Sequence, residues 1–519
     1  MKKIYFPVVF SLLICGFITA NAQVITGPKN EKFGVRVVAD KLSDPWEVAY
    51  GPDKHLWITE AHGYRVSRIN PANGTKTVLL DLSAERQFPR YDKLPKSVSG
   101  GKPWPQGGLM GMALHPQLLS GQPYVYLIYV YKFAGADSAG NGCKINSGGC
   151  FFTARIVRYE YNIKQQKLIN ATTVCDSIPA SSDHNGGRLT IAPVNGKSYL
   201  FYSIGDLGAG QFGNGGRPNH AQDKNIYEGK ILRFNLTADQ DAHYTDQWIP
   251  NDNPFNGAKQ NAVWSYGHRN PQGLSYAVIN GIGRLYSSEH GPYSDDEINI
   301  IEKGKNYGHP LIIGYADNNY NGLAASVSDN AALPGVWHTT YPLIENEQNN
   351  ARQIGADYRD PIKTLYPLTN SFLTDFFNKT KSGADGGEWQ SEAPSSIEIY
   401  TSNTIPGWKN SVLLPCLKGK KLVRLQLNAA GNKVISDTIN YFKGDVRYRD
   451  IAISPDGGRL YLTVDSTSVT SGPSEQNPEK TTYRGCVLEF SYQGQSNKNT
   501  PASKTNLPAK VPQRKRESE

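Results

Sequence analysis

The chain has 519 residues, 19% of them charged, and a formal net charge of +9; that length can bury roughly two to four domains or one large all-β unit. Most of the positive excess sits at the two ends, in Lys2, Lys3 and six Lys/Arg between residues 497 and 519, so the body lacks the basic surface a nucleic-acid partner needs. Beyond the N-terminus no stretch approaches the ~18 apolar residues of a membrane span.

In chain order, Met1-Lys-Lys, the apolar run 4–18 and the small-residue site Ala20-Asn-Ala22 predict a secretory leader over residues 1–22, cleaved before Gln23, which implies a periplasmic or secreted protein. Cys15 suggests no lipoprotein, because Ile14 stands where such a site wants a small residue. Residues 23–45 form a lead-in strand ahead of the main domain. Five cysteines remain after cleavage, an odd number that no complete disulfide framework uses. Cys143 and Cys150 flank a short Gly-rich loop and are the candidate pair. Cys175, Cys416 and Cys486 stand singly in or beside apolar segments and are expected as inert thiols. The absence of a CxxC argues against a thiolate zinc site.

Self-similarity then dominates. An apolar strand, a Gly- or Pro-bearing turn and a second apolar strand recur at residues 46–58, 111–127, 189–202, 274–287 and 451–462, with a weaker copy at 397–414. Each is followed by a short alternating strand, at 66–70, 156–161, 231–236, 297–301, 422–427 and 487–492. Six such units with hardly any helical period predict an all-β, six-bladed β-propeller over residues 46–493 with long rim loops; a sandwich is the alternative, and it would have to absorb about twice the usual strands. The largest insertions are 83–105, 209–227, 316–362 and 368–394, rich in Gly, Asn, Asp, Pro and Tyr, which suits ordered binding loops. Residues 494–519 are Pro-, Lys-, Ser- and Asn-rich without apolar periodicity and read as a disordered basic tail.

Function concentrates in residues 264–310. Strands at 274–278 and 284–288, turned by Gly281 and Gly283, put Gly267-His-Arg-Asn-Pro271 and His290-Gly-Pro292 on one rim of a sheet, where loops carry chemistry. His184 precedes one strand pair and Asp206 ends it, so the two fall at neighbouring strand ends; a carboxylate beside an imidazole fixes the tautomer of a general base, or it serves a blade structurally. Gly208–Gly213 matches a dinucleotide fingerprint, but Asn214-Gly-Gly-Arg-Pro-Asn cannot start the helix that such a site requires, so the match is accidental. Asp317–Gly322 opens like an EF-hand loop, with Ser328 in place of the bidentate Glu, and either binds calcium weakly or simply turns. The acidic group Asp295, Asp296 and Glu297 beside Gly291-Pro292 is a better calcium candidate, or a solvated turn. Lys418, Arg447 and Arg449 would converge with Arg269 on one rim, a set suited to a polyanion.

In this order, Gln106-Gly-Gly-Leu-Met-Gly-Met-Ala-Leu-His-Pro, Asp183-His-Asn-Gly-Gly-Arg-Leu, Gly205-Asp, Gly267-His-Arg-Asn-Pro-Gln-Gly, Glu289-His-Gly-Pro-Tyr-Ser-Asp-Asp-Glu, Asn306-Tyr-Gly and Arg447-Tyr-Arg-Asp resemble the soluble glucose/sorbosone dehydrogenases that depend on pyrroloquinoline quinone (PQQ). The resemblance runs from about Trp46 to Tyr492. It implies a calcium-assisted oxidation of an aldose at C1, with PQQ on the top face of the propeller. His184 would be the base, Asp206 its orienting partner, and Gln106, Asp183 and Trp389 would lie near the sugar. Arg269 and Asn270 would face the quinone oxygens, Lys418, Arg447 and Arg449 the cofactor carboxylates, with Ser391 beside Trp389. The Gly291 and Pro292 carbonyls would hold Ca²⁺, with Asp296 and Glu297 alongside. Gly386, His290, the 207–210 loop and the longer 83–105 loop depart from the family's glucose enzyme on the sugar side, so the preferred sugar is left open. The electron acceptor, a small molecule or a protein, is open too, as is a homodimer. A glycan- or protein-binding propeller and a calcium-dependent lactonase are the competing classes.

Overall fold

Short strands with alternating apolar residues and a tight turn every few positions need cover on both faces, and here they find it by stacking as six antiparallel sheets around an axis, so that Leu56–Glu60, Lys230–Asn235 and Ser411–Pro415 are buried at every position. The computed structural model describes residues 23–85, 107–134, 149, 151–240, 246–387, 389–466, 482–495 and 506–510. The expected leader, Gln106, the Cys143 and Cys150 pair, and most of the 83–105 insertion and of the tail lie outside the described residues.

Blade 1 consists of Pro45–Tyr50, Leu56–Glu60, Arg65–Ile69 and Lys76–Asp81, and blade 2 of Leu109–Leu114, Tyr124–Ala134, Phe151–Asn162 and Lys167–Ala180. Blade 3 is Leu189–Val194, Lys197–Ile204, Lys230–Asn235 and Val263–Tyr266; blade 4 is Pro271–Ile279, Ile282–Glu289, Asp296–Ile301 and Lys363–Leu365. Blade 5 is Glu398–Tyr400, Ser411–Pro415, Leu422–Gln426 and Ile439–Tyr441. Blade 6 takes Tyr448–Ile453, Arg459–Val464 and Val487–Gln495 from the end of the chain and Glu31–Ala39 from its beginning, with Gln23–Thr26 outside them. The segment read as a lead-in is thus paired into the last blade, Val35 opposite Phe490, and closes the ring. The repeats in the sequence are the first three strands of each blade; the fourth is short or irregular and left little pattern to read.

The first strand of each blade lies innermost, where it touches its counterparts in the neighbouring blades. Arg188 joins several of them. Its fully buried guanidinium reaches Glu47 of blade 1 at 2.5 Å, Asp450 of blade 6 at 3.0 Å, the Gln272 carbonyl of blade 4 at 3.0 Å and the Ser395 carbonyl ahead of blade 5 at 3.0 Å. Apolar side chains such as Val66, Leu127, Ile156, Leu200 and Leu232 form one continuous core through blades 1, 2 and 3.

In blade 4 the turn is tighter than the glycine spacing suggests. The strands run to Ile279 and from Ile282, and Asn280 and Gly281 both take left-handed φ, 48° and 79°, the geometry of a type I′ hairpin. Gly283 lies inside the second strand, where a Cβ would fall on the Tyr276 hydroxyl.

Among the described residues two helices sit in the insertions: α1 (Glu347–Ile354) and α2 (Asn370–Lys381). Thr369 caps α2 by accepting from the Phe372 N–H, and Leu373, Phe376 and Phe377 bury its inner face at i, i+3, i+4 spacing. They pack with Tyr293, Tyr320 and Trp337 in a separate aromatic core. No helix flanks Asp317–Gly322, which forms an irregular turn with the Asn319 N–H on Asp317. Gly208–Gly213 leads only into a three-residue 3₁₀ turn, Phe212–Asn214. Among the described residues no helix is long and apolar enough to cross a membrane. Within the stretch expected to be disordered, Leu507 is buried and its N–H donates to the Lys443 carbonyl at 2.7 Å, because one apolar side chain finds a gap beside blade 6. Cys175, Cys416 and Cys486 are free thiols; burial pushes Cys175 and Cys486 up to about 12.

Candidate active site

First strands begin, and second strands end, on the same rim, so the flanking residues of all six blades face one another across the axis. They enclose a cavity of about 1070 Å³, counted with its open mouth. Asp44, Trp46 and His62 come from blade 1, Gly107 from the edge of blade 2, Asp183 and His184 from blade 3. Arg269, Asn270, Gln272, His290, Gly291 and Pro292 come from blade 4, Trp389, Ser391 and Lys418 from blade 5, and Arg447, Arg449 and Asp465 from blade 6.

His184 and Asp206 meet as their strand ends suggested: Nδ1 lies 2.7 Å from Asp206 Oδ1. Asp206 is 0% exposed. Burial alone would raise its pKa, but the His184 and His309 imidazoles outweigh that and hold it well below the usual carboxylate range. An ionised partner keeps the proton on Nδ1 and leaves Nε2 as the basic atom. His184 itself sits at φ 47°, left-handed and uncommon for a residue with a Cβ, which turns the ring into the cavity.

On that Nε2 lies a residue the sequence reading passed over. Gln211, inside the glycine loop, reaches His184 Nε2 at 2.9 Å, donates to Asp183 Oδ2 at 3.1 Å and accepts from Arg269 Nη2 at 2.7 Å. Arg269 also donates through Nη1 to the Gly291 carbonyl at 2.9 Å and the His290 carbonyl at 3.2 Å, while its N–H is held by Glu289. Asn270 accepts from the Gly186 N–H at 3.3 Å and faces His290 Nδ1 at 3.5 Å. Burial, then the positive charge of Arg269, drives the His290 pKa well below its ordinary value, so its Nε2–H donates to the Pro394 carbonyl as a neutral ring.

The cationic set also converges. Arg449 bonds Asp465 and the Gln272 side chain and lies 4.4 Å over the Trp46 ring. Arg447 reaches Asp465 at 3.3 Å, and burial lowers it only to about 10, so it stays charged. Lys418 donates to the Trp389 carbonyl at 2.6 Å and sits 4.3 Å from the indole centroid, joining cation and aromatic wall.

The acidic pair beside the turn is engaged elsewhere. Asp296 accepts from the Gly291 N–H, the Ser391 hydroxyl and the N–H groups of Glu392 and Ala393, pinning two cavity loops together; burial raises its pKa to about 6. Ser391 therefore spends its hydroxyl on Asp296. Glu297 accepts from the Gly314 N–H and from Asn299. Among the described residues no group of three or more His, Cys, Asp or Glu is placed to hold a metal ion; Gly291 and Pro292 line the cavity without side-chain donors, and the Gly291 carbonyl already accepts from Arg269.

Asp465, His62 and Gln211 were not singled out from the sequence. For the first two a signal existed: His62, Asp206, His290, Lys418 and Asp465 each fall one to three residues past the second strand of a blade, a register that aligning the repeats would expose. Gln211 has no such register, since it arrives on an insertion.

Comparison with known proteins points to one family. The family model described as Glucose / Sorbosone dehydrogenase matches residues 42–342 and 387–470. The chain is 31% identical over 485 residues to Quinoprotein glucose dehydrogenase B of Acinetobacter calcoaceticus, spanning 89% of this chain and 92% of that one. The PQQ-bound aldose sugar dehydrogenase of Streptomyces coelicolor superposes with a TM-score of 0.55 at 25% identity, covering 90% of this chain and 100% of that one. The apo-form of the soluble aldose sugar dehydrogenase of Escherichia coli gives 0.57 at 26% identity, covering 89% and 100%. The chain belongs to the glucose/sorbosone dehydrogenase family, and is an oxidoreductase of that kind.

Proposed function

We propose that the protein oxidises an aldose at C1 to the lactone, with PQQ as bound cofactor and calcium beside it. The observation that carries this reading is a single cavity lined both by His184, with Asp206 buried behind it, and by four cationic side chains, Arg269, Lys418, Arg447 and Arg449. A base alone would serve a hydrolase; the cations suit a flat polyanion. Arg269 supports the fit further, because its Nε is buried without an acceptor and its Nη2 bonds only Gln211, leaving donors for a ligand.

PQQ, when bound, would accept hydride from the sugar carbon, chemistry that no side chain supplies. Lys418, Arg447 and Arg449 would hold its carboxylates, and Arg269 and Asn270 its quinone oxygens. The Gly291 and Pro292 carbonyls, hard oxygen donors of the kind calcium takes, would hold the ion, which would stabilise negative charge at the cofactor; Asp296 and Ser391 keep that turn in place. Asp183 and Trp389, with Gln106, would line the sugar side. His184 Nε2 accepts the hydroxyl proton from the anomeric carbon, and Asp206 holds the resulting imidazolium. Export through the leader would place the enzyme in the periplasm or outside the cell, with a small-molecule or protein electron acceptor.

Deuterium at C1 of the aldose tests the reading, since that bond breaks as hydride leaves. A severalfold slowing of oxidation is expected. A rate indifferent to C1 deuterium, with lactone hydrolysis in the absence of PQQ, would overturn it.

A further inference from the structure

Three loops meet on one oxygen of Asp206. Its Oδ1 accepts from His184 Nδ1 at 2.7 Å and from the Gly208 N–H at 2.9 Å. Its Oδ2 accepts from the Tyr341 hydroxyl at 2.6 Å, His309 Nε2 at 2.8 Å and Asn219 Nδ2 at 3.2 Å. Tyr341 comes from the 316–362 insertion, Asn219 from the 209–227 insertion and His309 from the loop after the third strand of blade 4.

An aspartate χ2 is a soft, roughly two-fold torsion. Held at Oδ1 alone, the carboxylate could swing about Cβ–Cγ, and the imidazole bonded to it would follow. Donors on Oδ2 remove that freedom. His309 suits the task as a neutral ring: burial disfavours its charged form, and Nδ1 is buried without a partner, so the proton belongs on Nε2 toward the carboxylate. The His309 and Tyr341 rings stand edge to face with centroids 5.5 Å apart, so each arm steadies the other. Arg269 and Glu289 act on His309, and Arg269 on Tyr341, through charge, and the Asp206 N–H donates to the Arg269 carbonyl.

We propose that His309 and Tyr341 are positioning residues that clamp Asp206, and through it orient His184 so that Nε2 meets the substrate hydroxyl. This rests on the dehydrogenase reading for its use, though the clamp can be tested without it.

Tyr341→Phe keeps the ring and removes one donor; His309→Leu removes the other, and His309→Gln restores a neutral N–H of similar reach. The first readout needs no cofactor. In ¹⁵N-histidine-labelled protein the Nδ1 proton of His184 should be sharp in the parent and in His309→Gln, and broadened by exchange with water in Tyr341→Phe and His309→Leu. The second uses PQQ-loaded enzyme: kcat should fall by roughly tenfold or more in those two variants, the scale of a hydrogen bond to a charged group. KM and PQQ titration should hold, and His309→Gln should recover most of the loss. A resonance equally sharp in all variants overturns the proposal. So does a joint fall of kcat, aldose affinity and PQQ binding, which marks a merely structural role. If the parent oxidises no aldose, the dehydrogenase reading fails, and the His184 resonance alone decides the clamp.

Discussion

Asp465 accepts two hydrogen bonds from the guanidinium of Arg449, from Nε at 2.8 Å and from Nη2 at 2.7 Å. The same carboxylate takes Arg447 Nη2 at 3.3 Å, so one acid aligns two cations, and the pair outnumbers it. Both guanidiniums line the cavity and are held in place there.

Arg449→Ala should therefore weaken PQQ binding well over tenfold, because truncating one partner of a buried charge contact costs about 2–5 kcal/mol. Lys418→Ala, which removes the ammonium held over the Trp389 ring, should do the same. Fluorescence titration with PQQ measures both. Parent-like affinity in the two variants would show that these cations serve the fold and not the cofactor.

His184→Gln keeps a polar side chain of similar reach but cannot take a proton at neutral pH. Single-turnover reduction of bound PQQ by an aldose should slow by roughly 10²–10⁴-fold, with PQQ affinity intact. Asp206→Asn should lose less, since the imidazole remains while its charged form is less supported. A His184→Gln enzyme as fast as the parent places the base elsewhere.

The blades were legible because each carries its own period and its own turn: residues 189–202 and 231–236 announce three strands of blade 3 without reference to anything distant. Ring closure was not, since Val35 and Phe490 pair across almost the whole chain and no local pattern records it. The same divide runs through the site. His184, Arg269 and Arg447 stand at strand ends, where position follows from the repeat. Gln211 and Tyr341 reach the cavity on insertions, and His309 on a loop after a third strand, so their meeting with His184 and Asp206 depends on how loops fold over the rim. Helix α2 was missed for a related reason: its Leu373, Phe376, Phe377 stripe is short and lies within a polar insertion.

Glu398 opens the innermost strand of blade 5 and accepts from Ser275 at 3.2 Å. Removal from bulk water, with Asp450 adding repulsion, pushes its carboxyl up to about 7 from an ordinary 4.5. A carboxyl raised on folding favours the native state below its unfolded value and withdraws that support as pH climbs from about 4.5 through about 7. Glu398→Gln, which stays neutral, should gain on the parent by roughly 2–3 kcal/mol between pH 5 and pH 8. Thermal unfolding at both pH values gives the difference directly. A gap between variant and parent that does not change with pH would mean Glu398 titrates normally.

The central claim is that this cavity is a PQQ site doing aldose oxidation, and reconstitution addresses it most directly. Protein freed of PQQ and calcium is mixed with each alone and with both, and reduction of an artificial dye is followed with a panel of aldoses. The account predicts no dye reduction by the stripped protein and its appearance, saturating with PQQ, when PQQ and calcium are supplied together with an aldose. Full activity in the stripped protein, or none with any aldose despite saturable PQQ binding, would contradict it.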